Sequence, residues 1–318
     1  MQSGYTICCG REIHYTDWGR ADAPPVLMWH GLARTGRDFD DLAAGLAERY
    51  RVLCPDQIGR GLSEWSPDPD REYCLDFYAG IARAFADALG VGCLHWVGTS
   101  MGGALGIRAA ATTLRGRILS LVVNDIGPTL PAGAAERIRT YVAAPPEFAR
   151  VSGLEAYLRQ VYAPFGALTD AQWRRMAESS VRRRQNGSVT THYDPAIVRQ
   201  LFVHPRDYEQ WEHWESLHLP VLVLRGAESD LLLPDVAEAM TIRGPRARLA
   251  EFAGCGHAPA LNVPPQIEMV RGFLHENSRG AAPNPHQGPR QRVQVNRVVV
   301  RGCGGVRRGS NRRPCALF

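Results

Sequence analysis

The chain has 318 residues, 45% apolar and 22% charged, with a formal net charge of +5, the balance of an ordinary water-soluble globular protein. It contains no 18-residue apolar run that could form a membrane-spanning helix, and its N-terminus, M-Q-S-G-Y-T-I-C-C-G, lacks the basic start and long apolar stretch of a secretory signal, so a cytoplasmic location is expected. All 37 basic residues are arginine, which excludes a phosphate-loop lysine, a Schiff-base lysine and a Ser–Lys dyad.

Residues 5–8 and 11–17 read as two short strands joined at Gly10. V-L-M-W (26–29) is a continuous apolar run suited to a parallel strand buried on both faces, and it ends at His30-Gly31. Phe39, Leu42, Leu46 and Tyr50 share one face of a helix predicted over 38–50. A strand at 51–56 runs into the glycine-rich loop I-G-R-G-L-S. A helix over 75–90, a strand over 93–99, a helix over 101–113 and a strand over 118–124 complete a regular strand–helix alternation, the pattern of a parallel sheet with covering helices.

From Gly127 to about Leu217 the alternation stops. Ser152-x-x-Glu155 and Thr169-x-x-Gln172 match capping boxes, Asp194-Pro195 matches a helix start, and aromatic residues cluster, which reads as an all-helical, lid-like insertion. Alternation resumes with strands at 221–226 and 247–252 and a last helix over 265–275. The core is therefore expected at 1–126 and 218–277, with a helical cap at 127–217. Residues 278–318 carry nine of the arginines and no acidic residue, so the first 278 residues have a net charge of about −4. This basic tail is too poor in apolar surface to repay its ordering entropy and is expected to be disordered.

The chemistry centres on Gly98-Thr99-Ser100-Met101-Gly102, a G-x-S-x-G pattern where a strand passes to a helix. A serine on so tight a turn needs small neighbours two residues either side, and Gly98 and Gly102 provide them. A lone hydroxyl is a weak nucleophile and needs a base within hydrogen-bond reach. Of ten histidines, His257 in G-C-G-H-A-P follows the last strand, at the sheet edge where parallel sheets bind ligands, and is taken as that base. His14 and His95 lie within strands and read as structural. For the acid, Asp230 after the strand 221–226 is preferred. Asp125, after the strand 118–124, competes with it, and Glu228 is a third choice. Two backbone amides should face the developing oxyanion: that of Met101, at a helix start, and that of Leu32, in the loop after the strand 26–29. Eight cysteines include no C-x-x-C pair with a histidine partner, so no metal site is expected, and hydrolysis by such a serine calls for no organic cofactor.

H-G-L-A, D-Q-I-G-R-G-L-S (56–63), G-T-S-M-G-G, R-G-A-E-S-D and G-C-G-H, in this order, resemble the α/β-hydrolase superfamily, over residues 5–275. Within it the chain is similar to the carboxylesterase, lactonase and C–C-hydrolase group. The resemblance implies a mostly parallel sheet of eight strands with a helical cap inserted after strand six. It also implies a serine hydrolase that cleaves small to medium esters through an acyl-enzyme. C–C bond hydrolysis or enol-lactone opening by the same triad, and a non-catalytic ligand-binding protein, are the alternatives. Aspartate-nucleophile dehalogenases and epoxide hydrolases are disfavoured by Ser100. The partner expected is a small-molecule ester, with no nucleic acid or membrane; the oligomeric state is left open.

Overall fold

In a computed structural model, residues 1–278 are described. The expectations for the tail beyond them lie outside the described residues. Among the described residues ten strands form: β1 (Gln2–Cys8), β2 (Arg11–Trp18), β3 (Pro25–Trp29), β4 (Arg51–Pro55), β5 (Leu94–Thr99), β6 (Ile118–Asn124), β7 (Val181–Arg183), β8 (Val189–Thr191), β9 (Val221–Gly226) and β10 (Arg248–Phe252). Eight of them make one sheet in the order β1-β2-β4-β3-β5-β6-β9-β10. β2 runs antiparallel to both neighbours and the rest are parallel, the mostly parallel eight-stranded α/β sheet that the motifs imply.

The central strands are apolar throughout because both of their faces are covered. Alternate residues divide between two cores. Leu27, Trp29, Trp96, Leu121 and Val223 face one side, with the helices Leu75–Ala88 and Met101–Ala111. Val26, Met28, Val97, Val122 and Leu222 face the other, with the helices Asp40–Leu46 and Pro264–Ser278. The Trp29 and Trp96 rings stack on the first side, 5.1 Å apart and nearly parallel.

Local differences have local causes. The helix predicted over 38–50 is a 3₁₀ turn (Gly36–Phe39) followed by Asp40–Leu46, yet Phe39, Leu42, Leu46 and Tyr50 are all buried as the spacing requires. Ser152 caps nothing: the helix Val151–Val161 begins before it, and Glu155 pairs with Arg159 one turn later instead. Thr169 and Gln172 do form the reciprocal cap, and Asp194 accepts the Ala196 amide at 2.9 Å.

The segment between β6 and β9 is not all-helical. β7 and β8 pair as an antiparallel hairpin closed through Asn186-Gly187, with Gly187 at φ +83°. Asn-Gly is the strongest short hairpin signal, and the surrounding helix starts masked it. This segment has a small core of its own (Leu154, Leu158, Phe165, Trp173, Met176). Its second half joins the main core through Ile197, Leu201, Tyr208 and Trp214. Polar ties fasten the rest: Gln172 and Arg175 donate to Asp41, Tyr73 to Asp194, and the Leu75 amide to Asp207. No helix among the described residues is long and apolar enough to cross a membrane.

Candidate active site

Three loops at the carboxyl ends of β5, β6 and β10 meet beside one cavity. Ser100 follows β5 and precedes the helix Met101–Ala111, with φ +53° and ψ −119°, a conformation that side chains rarely adopt. Its amide donates to the Asn124 carbonyl at 2.8 Å, tying the turn to β6. The turn closes only because its flanks lack side chains. A Cβ on Gly98 would sit 2.1 Å from the Gly102 carbonyl oxygen, and one on Gly102 would sit 1.9 Å from the Trp29 carbonyl oxygen. Backbone cannot yield as a side chain does, so Gly102→Ala should destabilise the fold by about 3 kcal/mol or more. Gly133→Ala, on a helix with open space around it, should be neutral or slightly stabilising. Urea midpoints of the two variants test the contrast.

The Ser100 hydroxyl lies 2.9 Å from His257 Nε2, and His257 Nδ1 lies 2.7 Å from Asp125 Oδ2. A carboxylate can only accept here, so Nδ1 carries the proton and Nε2 presents its lone pair to Ser100. Asp125 is completely buried, directly after β6, at φ +59°. It also accepts the Gly226 amide at 2.8 Å and the Ser229 hydroxyl at 2.6 Å.

The preference for Asp230 over Asp125 is therefore corrected. Asp230 is 56% exposed at the side chain and pairs with Arg137 Nη2 at 2.7 Å. The loop after β9 turns so that Ser229 points inward, its hydroxyl against Asp125, and its successor points outward. That loop contributes a hydroxyl to the imidazole's partner where a carboxylate was expected. Glu228, the third choice, lines the cavity rim and is exposed. The signal for Asp125 was its place at the carboxyl end of the strand beside β5, in N-D-I-G-P.

Leu32 and Met101, the two residues chosen as amide donors, border one small void together with Ser100. A residue that the sequence reading passed over joins them. Arg60, fully buried, donates from Nε to the Leu32 carbonyl at 2.8 Å and from Nη1 to the Ile58 carbonyl and the Tyr78 hydroxyl. Its Nη2 lies 3.6 Å from Met101 Sδ. The guanidinium also lies over the rings of Tyr73 and Tyr78, so aromatic faces and carbonyls solvate its charge.

His30 ties two loops together. Its Nδ1 donates to the Gly31 carbonyl at 2.7 Å and its Nε2 accepts the Gln57 amide at 2.9 Å, pinning the loop after β3 to the loop after β4. Burial holds its pKa down at about 4, and burial lowers His95 to about 4 as well. Between pH 6.5 and 4 the unfolded chain binds protons at these positions that the native state excludes. Stability contributed by the neutral rings is complete above about pH 6.5 and is lost as pH falls toward 4, about 3 kcal/mol for His30 alone. Urea unfolding at pH 7.5 and 4.5 should show the fall; equal midpoints would contradict the assignment.

A second Ser–His–Asp chain occurs elsewhere: Ser3 Oγ to His14 Nε2 at 2.8 Å, and His14 Nδ1 to Asp56 Oδ2 at 2.7 Å. Burial pushes the Asp56 pKa up, but the His14 hydrogen bond and neighbouring groups outweigh it and the net direction is down. Ser3 stands in the exposed edge strand β1, not on a strand-to-helix elbow, and the Asp56 carboxylate braces the Gly36 and Leu62 amides. His14 is structural for this reason.

The cavity beside Ser100 and His257 has a volume of about 430 Å³. Its far wall comes from the segment between β6 and β9, through Ile138, Tyr141, Tyr162 and Phe165. Among the described residues no group of three or more His, Cys, Asp or Glu side chains could hold a metal ion.

Residues 26–267 match the model of the alpha/beta hydrolase family. A 3-hydroxybutyrate-oligomer hydrolase of Cupriavidus necator is 37% identical over 277 residues, 83% of this chain and 92% of that protein. The crystal structure of an alpha/beta hydrolase from Novosphingobium aromaticivorans is 31% identical and superposes with a TM-score of 0.75, covering 86% of this chain and 98% of the other. A Rickettsia typhi crystal structure gives a TM-score of 0.80 at 26% identity over 87% of this chain and 99% of the other. With that sheet order, an insertion after its sixth strand and a serine elbow after its fifth, the chain belongs to the alpha/beta hydrolase family.

Proposed function

We propose that the protein is a serine hydrolase of small to medium carboxylic esters, with oligoesters of short hydroxy acids as the substrate class. The observation that carries this is the unbroken hydrogen-bond chain Ser100–His257–Asp125 at the wall of the cavity. Its volume lies within the usual range of small-molecule sites. The C. necator relative supports an ester bond over a carbon–carbon bond.

Ser100 Oγ adds to the ester carbonyl carbon while His257 Nε2 takes the hydroxyl proton. The carbonyl π electrons move to oxygen, where the Leu32 and Met101 amides stabilise the negative charge. Collapse expels the alcohol, which takes the proton back from His257, and leaves an acyl group on Ser100. Water then adds to that acyl group, giving a proton to His257, and the second collapse releases the acid and returns the proton to Ser100. Asp125 keeps Nε2 free as the acceptor and steadies the imidazolium. Residues 127–217 act as a cap that shields these steps from bulk water.

A fluorophosphonate should leave one adduct on the peptide containing Ser100, read by mass spectrometry, and the protein should hydrolyse 4-nitrophenyl esters with a chain-length preference. Folded protein that takes no adduct and cleaves no ester would overturn the proposal.

A further inference from the structure

Arginine supplies the positive charge in the cavity wall, and its two members there are unequal. Arg34 is buried and engaged through all three nitrogens: Nε and Nη2 grip Asp38 at 2.8 and 2.5 Å, Nη1 donates to Ser180 at 3.0 Å, and the guanidinium covers the Tyr162 ring. Arg137 differs. It projects from the helix Ala132–Ala143 on the face that also carries Ile138 and Tyr141 to the cavity. Its ion pair among the described residues is the single contact with Asp230, and both side chains are about half exposed. An exposed pair with one contact contributes little, so exchanging one carboxylate for another at Arg137 costs little. Guanidinium binds carboxylates in fork geometry, and the contact with Asp230 leaves most of that fork unused.

A linear oligoester of a hydroxy acid ends in a free carboxylate a few bonds from its last ester linkage. Ser100 and Arg137 line the same cavity, so a substrate with that linkage at Ser100 has a cation in the same wall for its carboxylate. We infer that Arg137 is the specificity-determining residue that receives the terminal carboxylate of the substrate, and that Asp230 is the internal stand-in which the substrate displaces. The inference rests on the ester-hydrolase reading and adds to it a preference for acids over their neutral esters. Glu228 also lines this rim and adds negative charge, which makes a cation at Arg137 the more necessary for an anionic substrate to dock.

The test measures cleavage of the internal ester in the linear dimer of 3-hydroxybutyrate as the free acid and as its methyl ester, and takes the ratio of the two kcat/KM values. Arg137→Gln should lower the ratio about tenfold or more, the size of one charge-assisted hydrogen-bonded pair. Asp230→Asn should raise it severalfold, chiefly through KM for the acid. In the Arg137→Gln background, Asp230→Asn should lose that effect, because it acts by releasing the guanidinium. An equal rise in both backgrounds would mean general repulsion by Asp230 and would overturn the inference, as would a ratio that neither variant moves. Unsubstituted protein that hydrolyses 4-nitrophenyl esters but cleaves neither dimer would overturn this inference and leave the hydrolase reading standing, whereas protein that cleaves no ester of either kind would overturn both.

Discussion

Replacing Ser100 with alanine is expected to lower kcat/KM for a short 4-nitrophenyl ester by a factor on the order of 10⁴ or more. That corresponds to about 5 kcal/mol of lost transition-state stabilisation. Only the Ser100 hydroxyl oxygen and its 2.9 Å contact with His257 disappear. The cavity, the Leu32 and Met101 amides and the imidazole stay in place, so residual turnover above the uncatalysed rate should persist through oxyanion stabilisation. Alanine keeps the positive φ of the elbow and the strain that goes with it, so the urea midpoint should stay close to that of the unsubstituted protein. A large loss of rate without a change in stability is the signature of a group used in chemistry. Retained activity in Ser100→Ala would remove the nucleophile from the mechanism.

Features that short stretches encode were legible in the sequence, and those that depend on two distant loops meeting were less so. The buried parallel strands announced themselves because V-L-M-W and V-L-V-L are apolar on both faces. The elbow was legible for a steric reason: Gly98 and Gly102 each face a carbonyl that no side chain could approach. Arg60 was not, since its role comes from touching Leu32, Ile58, Tyr78 and Met101 at once. The aromatic residues of the inserted segment gave no sign of which would line the cavity. Tyr141 and Tyr162 do, whereas Tyr208 and Trp214 fill the main core.

Asp125 and Asp230 both satisfy the local rule of a carboxylate just past a strand end, and a substitution pair separates them. Asp125→Asn should lower kcat by about 10⁴. An asparagine amide can offer its N–H₂ to His257 Nδ1, which favours the tautomer with the proton on Nε2, the wrong atom for accepting from Ser100. Turning the amide so that its oxygen faces the ring keeps the contacts with His257 and Ser229 but aims the N–H₂ at the Gly226 amide, which now donates to the other carboxylate oxygen. One buried donor is left without an acceptor in either orientation, at about 1–3 kcal/mol, so the urea midpoint should fall as well. Asp230→Asn removes half of an exposed pair with Arg137 and should lose at least a hundredfold less in kcat than Asp125→Asn. The reverse ranking would return the acid's role to the loop after β9. Ser229→Ala gives a finer readout, because it removes one donor from the Asp125 carboxylate and leaves the imidazole contact intact. It should cost far less than Asp125→Asn, since the imidazole keeps its carboxylate partner.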